Sequence, residues 1–146
     1  MYLQYHFTFQ FGNDKIFIGD GYRSLLLSDN AFNYPHVKII TDIWKFRYVN
    51  IFAEMQDISI KDQQDNEPFQ RKYTSMHYLD LNIGKRASIG VFESVVWHSD
   101  STGRRGFDIG YLNPFIFFRP VEFSIGSPDN VLMGFNAKYK ITNKTT

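Results

Sequence analysis

Asp20, Glu54, Glu93 and Glu122 fall in or beside stretches that alternate like strands. A pair of carboxyl groups at a set separation can hydrolyse a glycosidic bond, one as acid and the other as base or nucleophile. Sequence spacing does not fix that separation. Carboxylates on a polar strand face more often pair with Arg or Lys, so no catalytic residue is assigned and the chain is expected not to be an enzyme. The four histidines are His6, His36, His77 and His98, and no two of them stand at the i, i+4 spacing of a helical ligand pair. Cysteine is absent. No metal or cofactor site is therefore expected. "GDG" at Gly19 to Gly21 lacks the Gly-Lys-Ser/Thr ending of a phosphate loop.

Binding chemistry is better represented. Sugars stack on aromatic rings while amides, carboxylates and guanidinium groups bond their hydroxyls. Tyr22, Arg23, Tyr34, Tyr78 and Trp97 could form such a surface, against the plainer alternative of packing and interface anchoring. Arg104 and Arg105, flanked by Gly103 and Gly106, could contact an anionic polymer, or simply sit in a solvated loop. Glu93 stands in the apolar run "VFESVVW". On a lipid-facing surface an unpaired carboxylate there would cost on the order of 1–3 kcal/mol. Glu93 is therefore expected to be covered by protein or paired, with Arg119, Glu122 and Lys138 completing a structural charge cluster.

These side chains must be positioned by strands. Residues 3 to 11 alternate, with Leu3, Tyr5, Phe7, Phe9 and Phe11 on one side and Gln4, His6, Thr8 and Gln10 on the other. "GND" is expected to turn the chain, and "KIFIG" to form a short strand. Gly19 to Pro35 reads as a long loop with one helical turn near Ser24 to Leu27. His36 to Ile43, Phe46 to Ile58, 75 to 83, 87 to 97 and 131 to 141 read as further strands. Gly84-Lys85 is expected to be a two-residue hairpin turn with glycine first. "YLNPFIFFRPVEF" (Tyr111 to Phe123) is too apolar for an ordinary loop, and its two prolines spoil a strand. Asn113 as cap and Pro114 at the first position predict a short helix over 113–119, ended by Pro120.

Composition agrees with a sheet protein. Aromatic residues make up 18% of 146 residues, with 15 Phe and 9 Tyr, while the net charge is only +1. That charge gives no whole-chain attraction to nucleic acid. Alternation of this kind suits two architectures. In a soluble all-β module of lipocalin type the apolar face packs inward; in an outer-membrane barrel it meets lipid and the polar face lines the lumen. Aromatics near strand ends, strands of about 9–11 residues, and short turns alternating with long loops favour the barrel. Met1 is followed by "YLQYHFTFQF", which lacks the basic start and continuous apolar core of a secretory signal peptide. A chain that begins inside a strand leads to the expectation of a piece of a longer barrel, or of a reading frame taken from an internal Met.

Three segments, "GDGYRSLLLSDNAFNYP", "IGVFESVVW" and "FDIGYLNPFIFFRPVEFSIGSPDNVLMGFNAKYK", resemble outer-membrane β-barrel proteins of the capsule-assembly Wzi family and related gliding-motility-associated proteins. The most specific part is "YLNP…RPVEF…GSPDN". The strand reading gives an all-β, antiparallel up-and-down barrel segment of about seven or eight strands in a single region spanning 1–146, and the resemblance implies that it is an interior or C-terminal piece of a larger barrel. The resemblance also implies residence in the cell outer membrane, contact with outer-membrane lipid, and a role in attaching surface polysaccharide or assembling the cell surface.

Overall fold

The structure, a computed structural model, describes residues 5–22, 24–56, 71–98, 109–113 and 129–141. Six strands form one antiparallel sheet in chain order: β1 (Tyr5–Asp14), β2 (Tyr34–Ile43), β3 (Phe46–Gln56), β4 (Arg71–Ile83), β5 (Ala87–His98) and β6 (Asn130–Tyr139). A 3-10 turn at Ile109–Leu112 is the one helical element among the described residues. The chain is thus all-β and up-and-down. Among the described residues β1 pairs with β2 alone and β6 with β5 alone, so the sheet is open. The helix expected over 113–119 lies outside the described residues except for Asn113.

Period-two alternation and the pairing register sort the side chains onto two faces. One, the aromatic face, can be read in rows across all six strands. Nearest the short turns stand Tyr5, Ile43, Phe46, Leu81, Ile89 and Ala137. The next row is Phe7, Thr41, Tyr48, Leu79, Val91 and Phe135, and the third is Phe9, Ile39, Asn50, His77, Glu93 and Met133. The first two rows are almost wholly apolar. The third is polar at its centre.

The opposite face carries Thr8, Ile40, Val49, Tyr78, Phe92 and Gly134 in one row, with charged and amide groups nearer the short turns. The β1–β2 connection lies on it. Ile16, Ile18 and Tyr34 bury with Val49, Ile51, Ala53, Met76 and Phe92, and Leu26 and Leu27 pack alongside. Full burial of each such aliphatic side chain contributes about 1.5–3 kcal/mol. This layer decides what "KIFIG" becomes. It is not a strand; only Ile18 bridges Leu27. Nor does Ser24 to Leu27 form a helical turn. The Ser24 hydroxyl donates to the Ile18 carbonyl and accepts from the amides of Leu26 at 3.0 Å and Leu27 at 3.3 Å. Those local bonds replace a helical ladder.

Other boundaries differ from the sequence expectation: β2 begins at Tyr34, inside the expected loop, and β4 at Arg71 rather than at 75. "GND" does not turn; Gly12, Asn13 and Asp14 continue β1 opposite His36, Pro35 and Tyr34. Pairing to a partner strand outweighs their turn propensity. The β4–β5 turn has three residues, Gly84, Lys85 and Arg86, between the paired Ile83 and Ala87, with Gly84 at φ 70°. The β2–β3 turn is the tight pair Trp44-Lys45, with Trp44 itself at φ 55°. Both turns lie at one end of the sheet. At the other end β1 runs into the connection 15–33, β3 and β5 end at Gln56 and His98, and β4 and β6 begin at Arg71 and Asn130.

Candidate functional site

At the short-turn end of the loop-covered face, the side chains of β3 to β6 and the first half of the β1–β2 connection enclose a polar cleft of about 360 Å³. Its geometry follows from register. Arg47 faces Asp80 across β3 and β4, Asp80 faces Gly90, and Gly90 faces Asn136. One row closer to the turn stand Asn82, Ser88 and Lys138. Lys85 and Arg86 enter from the turn, and Lys140 from the end of β6. Phe17 and Ile18 wall the cleft on the loop side.

A hydrogen-bond network fixes the floor. Tyr78 Oη donates to Asn136 Oδ1 at 3.0 Å, Asn136 Nδ2 donates to Asp20 Oδ2 at 3.4 Å, and Lys138 Nζ forms an ion pair with Asp20. Tyr78 reaches β6 because β5 carries glycine beneath it: a Cβ on Gly90 would collide with the Tyr78 ring and the Asn136 amide. Asp20 therefore ties the β1–β2 connection to the far edge strand. Arg47 is held in a fork by Asp42, Nε to Oδ1 at 2.7 Å and Nη2 to Oδ2 at 3.2 Å. Among the described residues, Lys85, Arg86 and Lys140 have no carboxylate within ion-pair distance. Five cations and two carboxylates line the cleft, a balance of +3 in a chain whose net charge is +1.

The second polar concentration is on the aromatic face. Asn50, His77 and Glu93 stand side by side across β3, β4 and β5, with exposures of 4%, 0% and 0%. Tyr48 Oη lies 2.6 Å from His77 Nδ1. Nearer the long loops, Tyr111 covers this face. Its ring centroid is 4.6 Å from that of Trp97, its carbonyl accepts from Ser75 Oγ at 2.8 Å, and its hydroxyl donates to Asp129 at 2.6 Å. Glu93 itself is fully buried, in keeping with the expectation that it is covered by protein or paired.

The sequence-derived candidates do not gather into one surface. Tyr34 and Tyr78 share the loop-covered face, Tyr34 buried in the core and Tyr78 at the cleft. Trp97 lies on the opposite face, fully buried under Tyr111. Tyr22 is exposed in the connection. Arg23, Arg104, Arg105, Arg119 and Glu122 lie outside the described residues. The expected charge cluster is divided: Glu93 and Lys138 are on opposite faces, and Lys138 pairs with Asp20 instead. The carboxylates considered for hydrolysis are likewise separated, since Asp20 is in the cleft while Glu54, paired with Arg71 at 3.4 Å, and Glu93 are on the aromatic face. No group of three potential metal ligands converges among the described residues.

The cleft itself was not anticipated. Its signal was present as basic residues at two sheet-end positions, Lys85-Arg86 in a turn and Lys138 and Lys140 closing the last strand. No family model, curated protein or solved structure matches the chain.

Proposed function

We propose that the chain is part of the wall of an outer-membrane β-barrel, a non-enzymatic protein that handles or anchors surface polysaccharide. The observation that carries this is the exposed aromatic stripe of β1, with Phe7 at 73%, Phe9 at 72% and Phe11 at 79%, matched across the sheet by Phe135 at 80% on β6. Soluble monomers rarely leave so much contiguous apolar surface to water. The residues between these, Thr8 and Gln10 on β1 and Asn136 on β6, are polar, the alternation of a lipid-facing and a lumen-facing side.

Three features support the same reading. Strands of 10 to 13 residues suffice for tilted membrane crossing, which takes about 9–11. Tight turns at one end and 14 to 31 residues between successive strands at the other fit the outer-membrane pattern of short turns and longer loops. Tyr5, Trp44, Phe46 and Tyr139 collect at the turn end, where an interfacial aromatic girdle belongs. The covered row of Asn50, His77 and Glu93 then belongs to the part of the wall that the chain shields from lipid. Polysaccharide handling draws on the resemblance to capsule-assembly barrels and on the cations, amides and tyrosine of the cleft.

The rival is a soluble all-β module binding a small ligand. It rests on two apolar hollows, one of about 180 Å³ among Leu26, Leu27, Tyr34, Ile51, Met76 and Phe92, and a shallower one of about 540 Å³ among Phe9, Phe11, Val37, Ile39 and Phe52. Ligand sites usually offer about 300–1,000 Å³. The two readings separate on expression. Detergent-dependent solubility with heat-modifiable gel mobility is expected; a chain that stays monodisperse in plain buffer would overturn the barrel.

A further inference from the structure

We propose that the turn-end cleft is an acidic-saccharide site and that Asp20 is its built-in competitor. This rests on the polysaccharide-handling barrel proposed above and adds to it the chemistry and the place of the ligand.

The cleft concentrates positive charge that the chain as a whole lacks. Three of its cations, Lys85, Arg86 and Lys140, are exposed and have no carboxylate partner among the described residues. They enter from two neighbouring positions, a turn and the end of the strand paired to it, joined by the hydrogen bond from the Lys140 amide to the Arg86 carbonyl at 2.8 Å. Their charges therefore converge on one mouth. The volume, about 360 Å³, lies within the range of small-ligand sites.

Neutral groups lie among these cations. Asn82 and Ser88 share a row with Lys138 beside the turn, Tyr78 stands in the floor, and Phe17 on the loop side presents a partly exposed ring. A carboxylate-bearing sugar would meet cations for its acid group, and hydrogen-bonding partners with a stacking ring for the rest. A bare anion would use only the first.

Asp20 already occupies the position that such a ligand would seek. Its carboxylate bonds Lys138 and accepts from Asn136, on a connection that has crossed from the β1 edge to the β6 edge. An incoming carboxylate competes with Asp20 for Lys138, and Asp20 repels it while the pair is intact. Removing that charge should strengthen binding, whereas an Asp20 that served structure alone would weaken or leave unchanged every ligand when removed.

The test is calorimetric titration of the full chain in detergent micelles with trigalacturonate. Neutral galactotriose and inorganic phosphate serve as comparison probes. Trigalacturonate should bind, more weakly as salt is raised. Galactotriose and phosphate should bind at least tenfold more weakly. Joint replacement of Lys85, Arg86 and Lys140 by Ala should weaken trigalacturonate about tenfold. Asp20→Asn should tighten it several-fold. Equal binding of galactotriose, equal binding of phosphate, or unchanged affinity in the triple variant would overturn the site. Unchanged or weaker binding in Asp20→Asn would overturn the competition. Heat-modifiable mobility of each variant, scored beforehand, reports folding. A chain that shows it yet ignores trigalacturonate refutes the cleft and leaves the barrel; binding by a chain soluble in plain buffer refutes the barrel and leaves the cleft.

Discussion

Gly90 decides whether β4 and β6 can communicate through Tyr78 and Asn136. A side chain there would displace a rigid ring and a bonded amide rather than a flexible tip. Gly90→Val should therefore destabilise the fold by about 1–3 kcal/mol through overpacking and loss of the hydrogen bond. Thermal unfolding in detergent reads the loss; an unchanged midpoint would show that the crossing is dispensable. Tyr111 makes a different contribution, since its ring stacks on Trp97 and its hydroxyl reaches Asp129. Tyr111→Phe keeps the stack and removes one bond, and should cost about 1–2 kcal/mol, read by the same melt. Such pairings were poorly legible in the sequence. Lys138 had a clear parity within its strand, but neither face of the Glu93 strand was clean in the sequence, and 31 residues separate β5 from β6. Without the register Glu93↔Met133 nothing told that the two charges point to opposite faces.

The strands were legible because apolar and polar residues alternate with period two, cleanly over Tyr5 to Phe11 of β1 and Phe135 to Tyr139 of β6. The β2–β3 boundary was also visible, for Ile43 and Phe46 bracket Trp44-Lys45 as read. The β1–β2 connection was not. "KIFIG" has the composition of a strand, yet Ile16 and Ile18 serve as plugs against the opposite sheet face, a tertiary demand that local pattern does not encode. That layer should be separable from the sheet. Ile18→Asp buries an uncompensated charge beneath the connection and should release it. Hydrogen exchange should then quicken at the Ile18 and Leu27 amides while the β3–β4 ladder keeps its protection. Uniform loss of protection would show that the connection and the sheet form one cooperative unit.

At the scale of the molecule, the sheet carries a continuous apolar band on the turn-end half of one face and chain-covered polar groups at the centre of the other half. A lipid-facing band predicts a depth-dependent penalty for charge. Phe7→Lys and Phe135→Lys should each cost up to about 2–4 kcal/mol in vesicles, measured by denaturant titration, whereas the same exposed positions in a water-soluble sheet would tolerate lysine within about 0.5 kcal/mol. The most direct measurement uses the absence of cysteine. Single cysteines placed at each position from 5 to 11, spin-labelled in the vesicle-reconstituted chain, report whether each side chain meets lipid or water. Positions 5, 7, 9 and 11 should be accessible to oxygen dissolved in the acyl chains, and positions 6, 8 and 10 to a water-soluble nickel complex, with a period of two. Access of the nickel complex to all seven positions would contradict a membrane-facing sheet.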